Sequence, residues 1–395
     1  MLSRMKFEIE PLVAEMLDHL PHSVWISDST TFFDPAIGGG QFVRAIEQRL
    51  RSQGHSDQNI RKRVFGLETS DLHIRYAVNK HKLVGQYAKK PYEKFLELDD
   101  TVKFDVVVGN PPYQDADDSG GALWSKIVGM CFGTLVKDGG YVAMLHPPSF
   151  VGKHQDTGKG KSDYSPFINN QIEQLHLLDD FEKNKYFPGT GTRICWYLAK
   201  KEQPSKDTVI IGYDKNNRYQ FDVDFPTTTF LPTVINELTV SIHKKLIACD
   251  SLHFKQRREL HYHTMKIKNT VNDTQTKKYP YKSYFSHKLV RYASFKFSEY
   301  DAVKLMVPQT STIDKSFIDS NCNVSEDLFY IVCSSEKDAS ELQDYLKCNL
   351  ITYIGKMYRP GRNLGSLLGA KIIPVPTSII NWSPEEIEYI NDVAQ

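Results

Sequence analysis

Three short stretches of the chain hold residue types, at spacings, that could do chemistry. Asn110-Pro111-Pro112-Tyr113 sets a carboxamide, two prolines and a phenol ring directly after Phe104-Asp105-Val106-Val107-Val108-Gly109. The preceding run is apolar and β-branched apart from Asp105, the pattern of a buried strand. Gly-Asn-Pro-Pro stops it, because neither helix nor strand continues through such a break. An amide and a ring are therefore expected together at a strand's carboxyl end, the edge at which open α/β sheets bind ligands. Upstream, Asp34-Pro35-Ala36-Ile37-Gly38-Gly39-Gly40-Gln41-Phe42 is a glycine-rich loop between a strand pattern ending at Phe33 and a helical pattern running to Leu50. Glycines let backbone amides approach a ligand closely, and the helix N-terminus that follows favours a negative group such as a carboxylate. The third feature is Glu68, which closes the strand pattern Arg63-Val64-Phe65-Gly66-Leu67. An acid there can accept the hydroxyl protons of a ribose, which is how adenosine-bearing cofactors are held. The loop lacks a Lys-Ser/Thr ending and is not a nucleoside-triphosphate loop. A nicotinamide cofactor stays open on these residues, but it leaves Asn-Pro-Pro-Tyr without a task.

These residues need elements to position them. Leu12, Val13, Met16, Leu17 and Leu20 fall at helical spacing, with Pro11 suited to a first turn. His73 to Lys82 and Trp124 to Val136 read as helices. Tyr92 to Leu98 reads as a short strand or its loop, Tyr141 to Leu145 as a strand, and Phe181 to Pro188 and Thr192 to Ala199 as the last strands of the sheet. Gln114 to Ala122, polar and acidic with glycines, is expected to be a loop over the site. Alternating strands and helices imply a doubly wound sheet. A length of 395 residues suggests two domains. The charged stretch Lys200 to Asp207, with Pro204, is the expected linker, so the boundaries are 1–203 and 204–395.

Hydrophobic content of 40% and charged content of 25% are those of a globular protein, and a net charge of +1 does not by itself point to an acidic partner. There is no apolar run of membrane-span length and no signal-peptide core near Met1, so a cytoplasmic protein is expected. The six cysteines form no Cys-x-x-Cys pair and no Cys/His cluster, which argues against a structural metal or a disulfide framework. Cys131 and Cys195 lie in apolar runs and read as small core residues.

In the second half, Val209 to Phe225 reads as a hairpin, Val234 to Ala248 as a helix, and Ser335 to Lys347 as a helix capped by Ser335. From Ser251 to Tyr300 there are eleven Lys or Arg against three acids, interleaved with aromatic residues such as Phe254, Tyr279, Tyr284 and Phe295. Cations for phosphates and rings for bases make a nucleic-acid surface, and a solvated basic face over core aromatics has the same composition. Arg257, Arg258, Lys277 and Lys278 are the candidate contacts there, with Arg359 and Arg362 in the basic turn Tyr358 to Asn363.

The Asp34 to Phe42 loop resembles the cofactor loop, and Asn110-Pro111-Pro112-Tyr113 the catalytic tetrapeptide, of S-adenosylmethionine-dependent DNA adenine-N6 methyltransferases. Cofactor loop first, catalytic motif next and a long extra region last resembles their gamma class, found in restriction-modification systems and phages. The resemblance covers residues 1 to 200 or so, and Leu342 to Pro376 loosely resembles their target-recognition regions. It implies an α/β fold, a doubly wound mixed sheet of the Rossmann-like methyltransferase type, followed by a C-terminal α+β target-recognition domain. It also implies S-adenosylmethionine held by Asp34, Pro35, Ala36, Ile37, Gly38, Gly40, Phe42 and Asn110, with Glu68 on the ribose and Ile37 or Leu67 on the purine face. Glu93 stands for the acid that contacts the cofactor's adenine, although Lys94 occupies the place just before Phe95-Leu96 where the family usually has that acid.

By the same resemblance Asn110, Pro111, Pro112 and Tyr113 are catalytic. The adenine N6 lone pair is delocalised into the ring, so the amine attacks poorly until acceptors hold its protons out of conjugation. The Asn110 oxygen and the Pro111 carbonyl would be those acceptors, and catalysis would rest on positioning and electrostatics rather than on a strong base. Tyr113 would stack on the flipped adenine, with Phe187 on its second face. Leu145-His146-Pro147-Pro148-Ser149-Phe150 and Phe187-Pro188-Gly189-Thr190-Gly191-Thr192 resemble later strand-end motifs that line this pocket. The implied partners are double-stranded DNA and, where one accompanies it, a separate cognate restriction endonuclease. The stretches before Pro11 and after Pro376 are expected to hold no nuclease domain, and a monomer is expected. A cytosine-C5 methyltransferase would need a Pro-Cys nucleophile, and no Pro-Cys pair occurs. Enzymes acting on RNA base amines or protein glutamine amides use the same tetrapeptide, and a catalytically inactive nucleic-acid-binding relative is the remaining alternative.

Overall fold

The computed structural model of the chain describes residues 9–90, 102–113, 123–148, 150–151, 165–215, 217–224, 231–257, 265, 268–309, 313–358, 368 and 372–395. The chain divides into two compact units. One comprises Met1–Phe150, Gln155–Thr228 and Val234–Asn236, the other Val151–His154, Thr229–Thr233 and Glu237–Gln395.

The first unit is built on a nine-stranded sheet. Its strands are β1 (Phe32–Asp34), β2 (Val64–Glu68), β3 (Gln86–Lys89), β4 (Phe104–Gly109), β5 (Val136–His146), β6 (Gln171–Leu178), β7 (Ile194–Lys200), β8 (Thr208–Asp214) and β9 (Asn217–Val223). They lie in the order β3-β2-β1-β4-β5-β7-β6-β8-β9. The pairs β2–β3, β1–β2, β1–β4, β4–β5 and β6–β8 are parallel, while β7 runs against both β5 and β6. This is the doubly wound mixed sheet of the Rossmann-like methyltransferase type that the sequence led us to expect. Central strands such as Val106-Val107-Val108 are buried on both faces, which explains their unbroken apolar run. Helices Glu10–Asp18 and Gln41–Ser52 bury Leu12, Val13, Met16 and Leu17, and Phe42, Val43, Ile46 and Leu50, in the same core. Cys131 and Cys195 are fully buried, as expected of small core residues.

Two expectations change. Phe181 to Pro188 is not a strand: Asp180–Tyr186 is a helix, whose N-cap Asp179 accepts the Glu182 N–H at 2.7 Å. Acids in its first turn and lysines in its last complement the helix dipole. The strand in this region is β6, whose buried Gln171 and His176 blur the apolar pattern. Lys200 to Asp207 does not divide domains, because β8 and β9 beyond it complete the first sheet. It is a turn clasped by the buried Gln171 side chain, which accepts from Ser205 N–H and Lys206 N–H and donates to the Lys206 carbonyl. Tyr92 to Leu98 and Gln114 to Ala122 lie outside the described residues.

The second unit is α+β. Strands Lys255–Gln256, Leu328–Cys333, Val303–Pro308 and Phe317–Asp319 form one four-stranded sheet, and Val271–Asn272, Leu289–Ala293, Tyr281–Ser286 and Asn323–Val324 another. Helices Glu237–Ile247, Glu336–Tyr345, Asn349–Met357 and Pro384–Ala394 accompany them. Ser335 caps its helix as expected, and Ser383 with Glu386 forms a capping box. Among the described residues no helix is long and apolar enough to cross a membrane, and no group of His, Cys, Asp and Glu could hold a metal ion.

Candidate active site

The carboxyl ends of β1, β2, β4, β5 and β6 and the start of β7 share one edge of the sheet. Asp34 ends β1 and Glu68 ends β2. Asn110 follows Gly109 at the end of β4, and Met144 of β5 is paired with both Gly109 and Tyr197. The parallel register therefore brings Asp34, Glu68 and Asn110 to one rim from positions scattered along the chain. The start of β4 is pinned separately, at the opposite end: Asp105 accepts from Thr31 N–H, Thr31 Oγ1 and Lys137 Nζ at 2.8–2.9 Å.

The glycine loop is closely fitted. Asp34 is 1% exposed, its Oδ1 accepts the Ala36 N–H at 2.9 Å, and burial raises its carboxyl pKa to about 7. Ile37 N–H donates to the Leu67 carbonyl at 3.0 Å, which ties the loop to β2. Gly40, at φ +85° before helix Gln41–Ser52, has no room for a side chain: a Cβ there would meet Ala77 Cβ at 2.9 Å. A Cβ on Gly109 would meet Asp34 Oδ1 at 2.9 Å. His81 Nε2–H donates to the Gly39 carbonyl at 3.1 Å, so the loop is held from outside as well.

Glu68 is nearly buried and well bonded. Its Oε2 accepts the Gly38 N–H at 3.0 Å, and its Oε1 accepts Thr69 N–H, Thr69 Oγ1–H and Ser70 N–H at 2.8–3.3 Å. A carboxylate offers about four acceptor positions. Oε1 is saturated, and Oε2 keeps one position.

At the end of β4 the polar groups are not satisfied. Asn110 Oδ1 and Tyr113 Oη are buried and, among the described residues, have no hydrogen-bond partner. Burial pushes the Tyr113 phenol pKa up, so the hydroxyl stays protonated. An orphaned buried polar atom costs roughly 1–3 kcal/mol, which a fold seldom tolerates without a water or a ligand to complete it. Tyr113 packs against the core cluster that includes Phe187, and Phe187 is 7% exposed. His146, at the end of β5, is fully buried and stacked on Trp124 at 4.1 Å. Its Nδ1–H donates to the Pro147 carbonyl at 2.9 Å, and burial lowers its pKa to about 3. It is neutral at pH 7.

Asp34, Pro35, Ala36, Ile37, Gly38, Gly40, Glu68, Asn110, Pro111, Pro112 and Tyr113 thus come to one edge. Phe42 faces the core at 4% exposure rather than the edge. Glu93, Arg258, Arg359 and Arg362 lie outside the described residues. In the second unit Lys277 and Lys278 are exposed, whereas Arg257 lies 3.5 Å from Glu299 and its guanidinium sits over Phe297 at 4.5 Å. Much of the basic charge from Ser251 to Tyr300 is neutralised within the unit: Lys255 pairs with Glu299, Lys282 with Asp319, Arg291 with Asp273 and Lys296 with Asp301. Tyr279 and Phe285 are core residues. Sequence reading undervalued the Trp124–His146 stack. Its one available signal was the strand-end run Leu145-His146-Pro147-Pro148.

Residues 23–187 match the Eco57I restriction-modification methylase family. The strand-edge residues from Asp34 to Phe187 fall within that matched stretch. No curated protein matches the chain. Among solved structures, similarity extends to a modification subunit of a putative type I restriction enzyme from Vibrio vulnificus YJ016, at 17% identity and a TM-score of 0.42 over 54% of this chain and 48% of that one. A putative class I S-adenosylmethionine-dependent methyltransferase from Listeria monocytogenes gives 18% identity and a TM-score of 0.37 over 51% and 63%. The type IIG restriction endonuclease BpuSI gives 9% identity and a TM-score of 0.44 over 98% and 64%. The chain spans less than two thirds of each of these structures. Likenesses this distant carry no argument about substrate or mechanism.

Proposed function

We propose that the protein transfers a methyl group from S-adenosylmethionine to the N6 amine of an adenine flipped out of double-stranded DNA, as the gamma-class modification enzyme of a restriction-modification or phage system. The observation that carries the reading is Asn110 Oδ1, a buried acceptor at the end of β4 without a donor among the described residues. An exocyclic amine is the donor it lacks. With the Pro111 carbonyl taking the second proton, the nitrogen lone pair is held out of the ring and aimed at the electrophile. Tyr113 supplies a stacking face for the extruded base, which offsets part of the few kcal/mol that extrusion costs.

The residues at the ends of β1 and β2 fit the cofactor. Gly38 N–H and Glu68 are already bonded to each other, and the free position on Glu68 Oε2 accepts one ribose hydroxyl. Asp34 shapes the loop around the methionine moiety, with Ile37 or Leu67 against the purine. The cofactor, when bound, supplies a methyl activated by its sulfonium. This chain's residues orient the amine, exclude water and leave the proton to depart after transfer.

Incubation with S-adenosylmethionine labelled in the methyl group, against duplex DNA, structured RNA and a protein lysate in parallel, tests the substrate class. Label is expected in DNA. Label confined to RNA or to glutamine amides would replace the substrate, and cofactor binding without any transfer would mark an inactive relative.

A further inference from the structure

The edge that carries Asn110 continues past β5 to the start of β7. His146, the last residue of β5, is paired with Cys195, and Leu178, the last of β6, with Ile194. Arg193 is the next residue outward, so it stands on the rim two strands from Asn110, about 10 Å across the sheet at the usual strand spacing, and about three residues further out along the strand direction. That is the scale of one to two nucleotides. Arg193 is exposed, and among the described residues it has neither a hydrogen bond nor an ion pair. The charge that bears on it is Asp180, whose carboxylate is already held by Lys183 at 2.6 Å.

The turn before it is tied to the pocket. Thr190 N–H donates to the carbonyl of Phe187 at 3.2 Å. A Cβ at Gly189 or Gly191 would meet nothing within 4 Å, so the turn stands in open space into which a strand can pass. Charge divides along the rim accordingly: Asp34 and Glu68 lie on the β1–β2 side, and the unpaired cation lies on the β5–β7 side.

We propose that Arg193 grips a backbone phosphate flanking the base that enters the Asn110–Tyr113 pocket, and so holds the methylated strand in register. This rests on the DNA reading above. A guanidinium forks onto two phosphate oxygens, and such contacts position a strand without reading its sequence. The Thr190 and Thr192 hydroxyls are placed on the same turn as neutral donors to the same backbone.

The test uses the full chain, Arg193→Gln and Arg193→Lys, with duplex fragments first shown to be methylated by the wild type. Arg193→Gln is expected to raise the KM for DNA about 10-fold, with unchanged affinity for S-adenosylmethionine and unchanged thermal midpoint. The slope of log affinity for DNA against log salt should fall by about 0.9, the loss of one phosphate contact. Arg193→Lys should restore the slope. Duplexes with a single methylphosphonate at each phosphate around the target adenine should show one position that weakens the wild type several-fold and leaves Arg193→Gln unaffected. Equal penalties for wild type and variant at every position would overturn the assignment of Arg193 alone. Absence of DNA methylation by the wild type would remove the DNA reading and this inference with it.

Discussion

The two halves of the sheet edge differ in how far they are complete. On the β1–β2 side every polar group named has a partner: Asp34 accepts from Ala36, Glu68 accepts four hydrogen bonds, and the Gly39 carbonyl is met by His81. On the β4–β7 side, among the described residues, Asn110 Oδ1 and Tyr113 Oη are buried without partners and Arg193 has none. The first half is a pre-formed cradle whose loop geometry does not wait for a ligand. The second holds unspent hydrogen-bonding capacity that a base and its backbone would complete. Pre-organisation on one side and unmet demand on the other is what a two-substrate transferase needs.

The sharpest way to break this comparison is Asn110→Ala. Removing the orphan acceptor should lower kcat by about 10²–10³-fold, as loss of one pre-organised transition-state group does. Cofactor affinity measured by calorimetry should change little, because the cradle lies mainly on the other side. Next comes Gly109→Ala, which pushes a Cβ against Asp34 Oδ1 and joins the two halves by strain. Overpacking of this kind costs about 1–3 kcal/mol, to be read in denaturant melts, and cofactor affinity should fall with it.

A smaller effect lies in pH dependence. Burial raises the Asp34 pKa from the ordinary 3.8 to about 7, so the native state holds a proton that the unfolded chain has lost over that interval. Stability of the ligand-free protein should therefore fall as pH rises from about 4 to about 7 and level off above, where both states are ionised. Asp34→Asn should flatten that part of the profile. The smallest effect expected is in the second unit. Lys277→Ala with Lys278→Ala should weaken DNA binding a few-fold and reduce its salt slope, since both side chains are exposed. Lys282→Ala should leave the slope nearly unchanged, because Asp319 already neutralises that charge.

Much of the first half was legible in the sequence for physical reasons. The Val106–Val108 run, the glycine loop and the double-proline stop are local signals, and parallel register converts them into one edge. The place of Glu68 at the end of β2 was legible because it closes a short apolar strand pattern. Partnering was not legible. That Glu68 is bonded to Gly38 N–H, or that Gln171 clasps the turn before β8, depends on contacts between distant segments. The helix Asp180–Tyr186 was missed because its signal is a cap and charge spacing rather than apolar periodicity. The basic stretch Ser251 to Tyr300 was legible only in part, for the opposite reason. Its composition was read as surface charge, and the acids that pair with Lys282 and Lys296 lie outside it, at Asp319 and Asp301.

The most direct measurement is single-molecule sequencing of plasmid DNA recovered from cells producing the wild-type protein or Asn110→Ala, which reports the modified base and its position together. N6-methyladenine at one short recurring sequence in the wild type, and none in the variant, is the result predicted if the orphan Asn110 oxygen receives the adenine amine. Methylation of cytosine, or N6-methyladenine that persists in Asn110→Ala, would contradict that assignment.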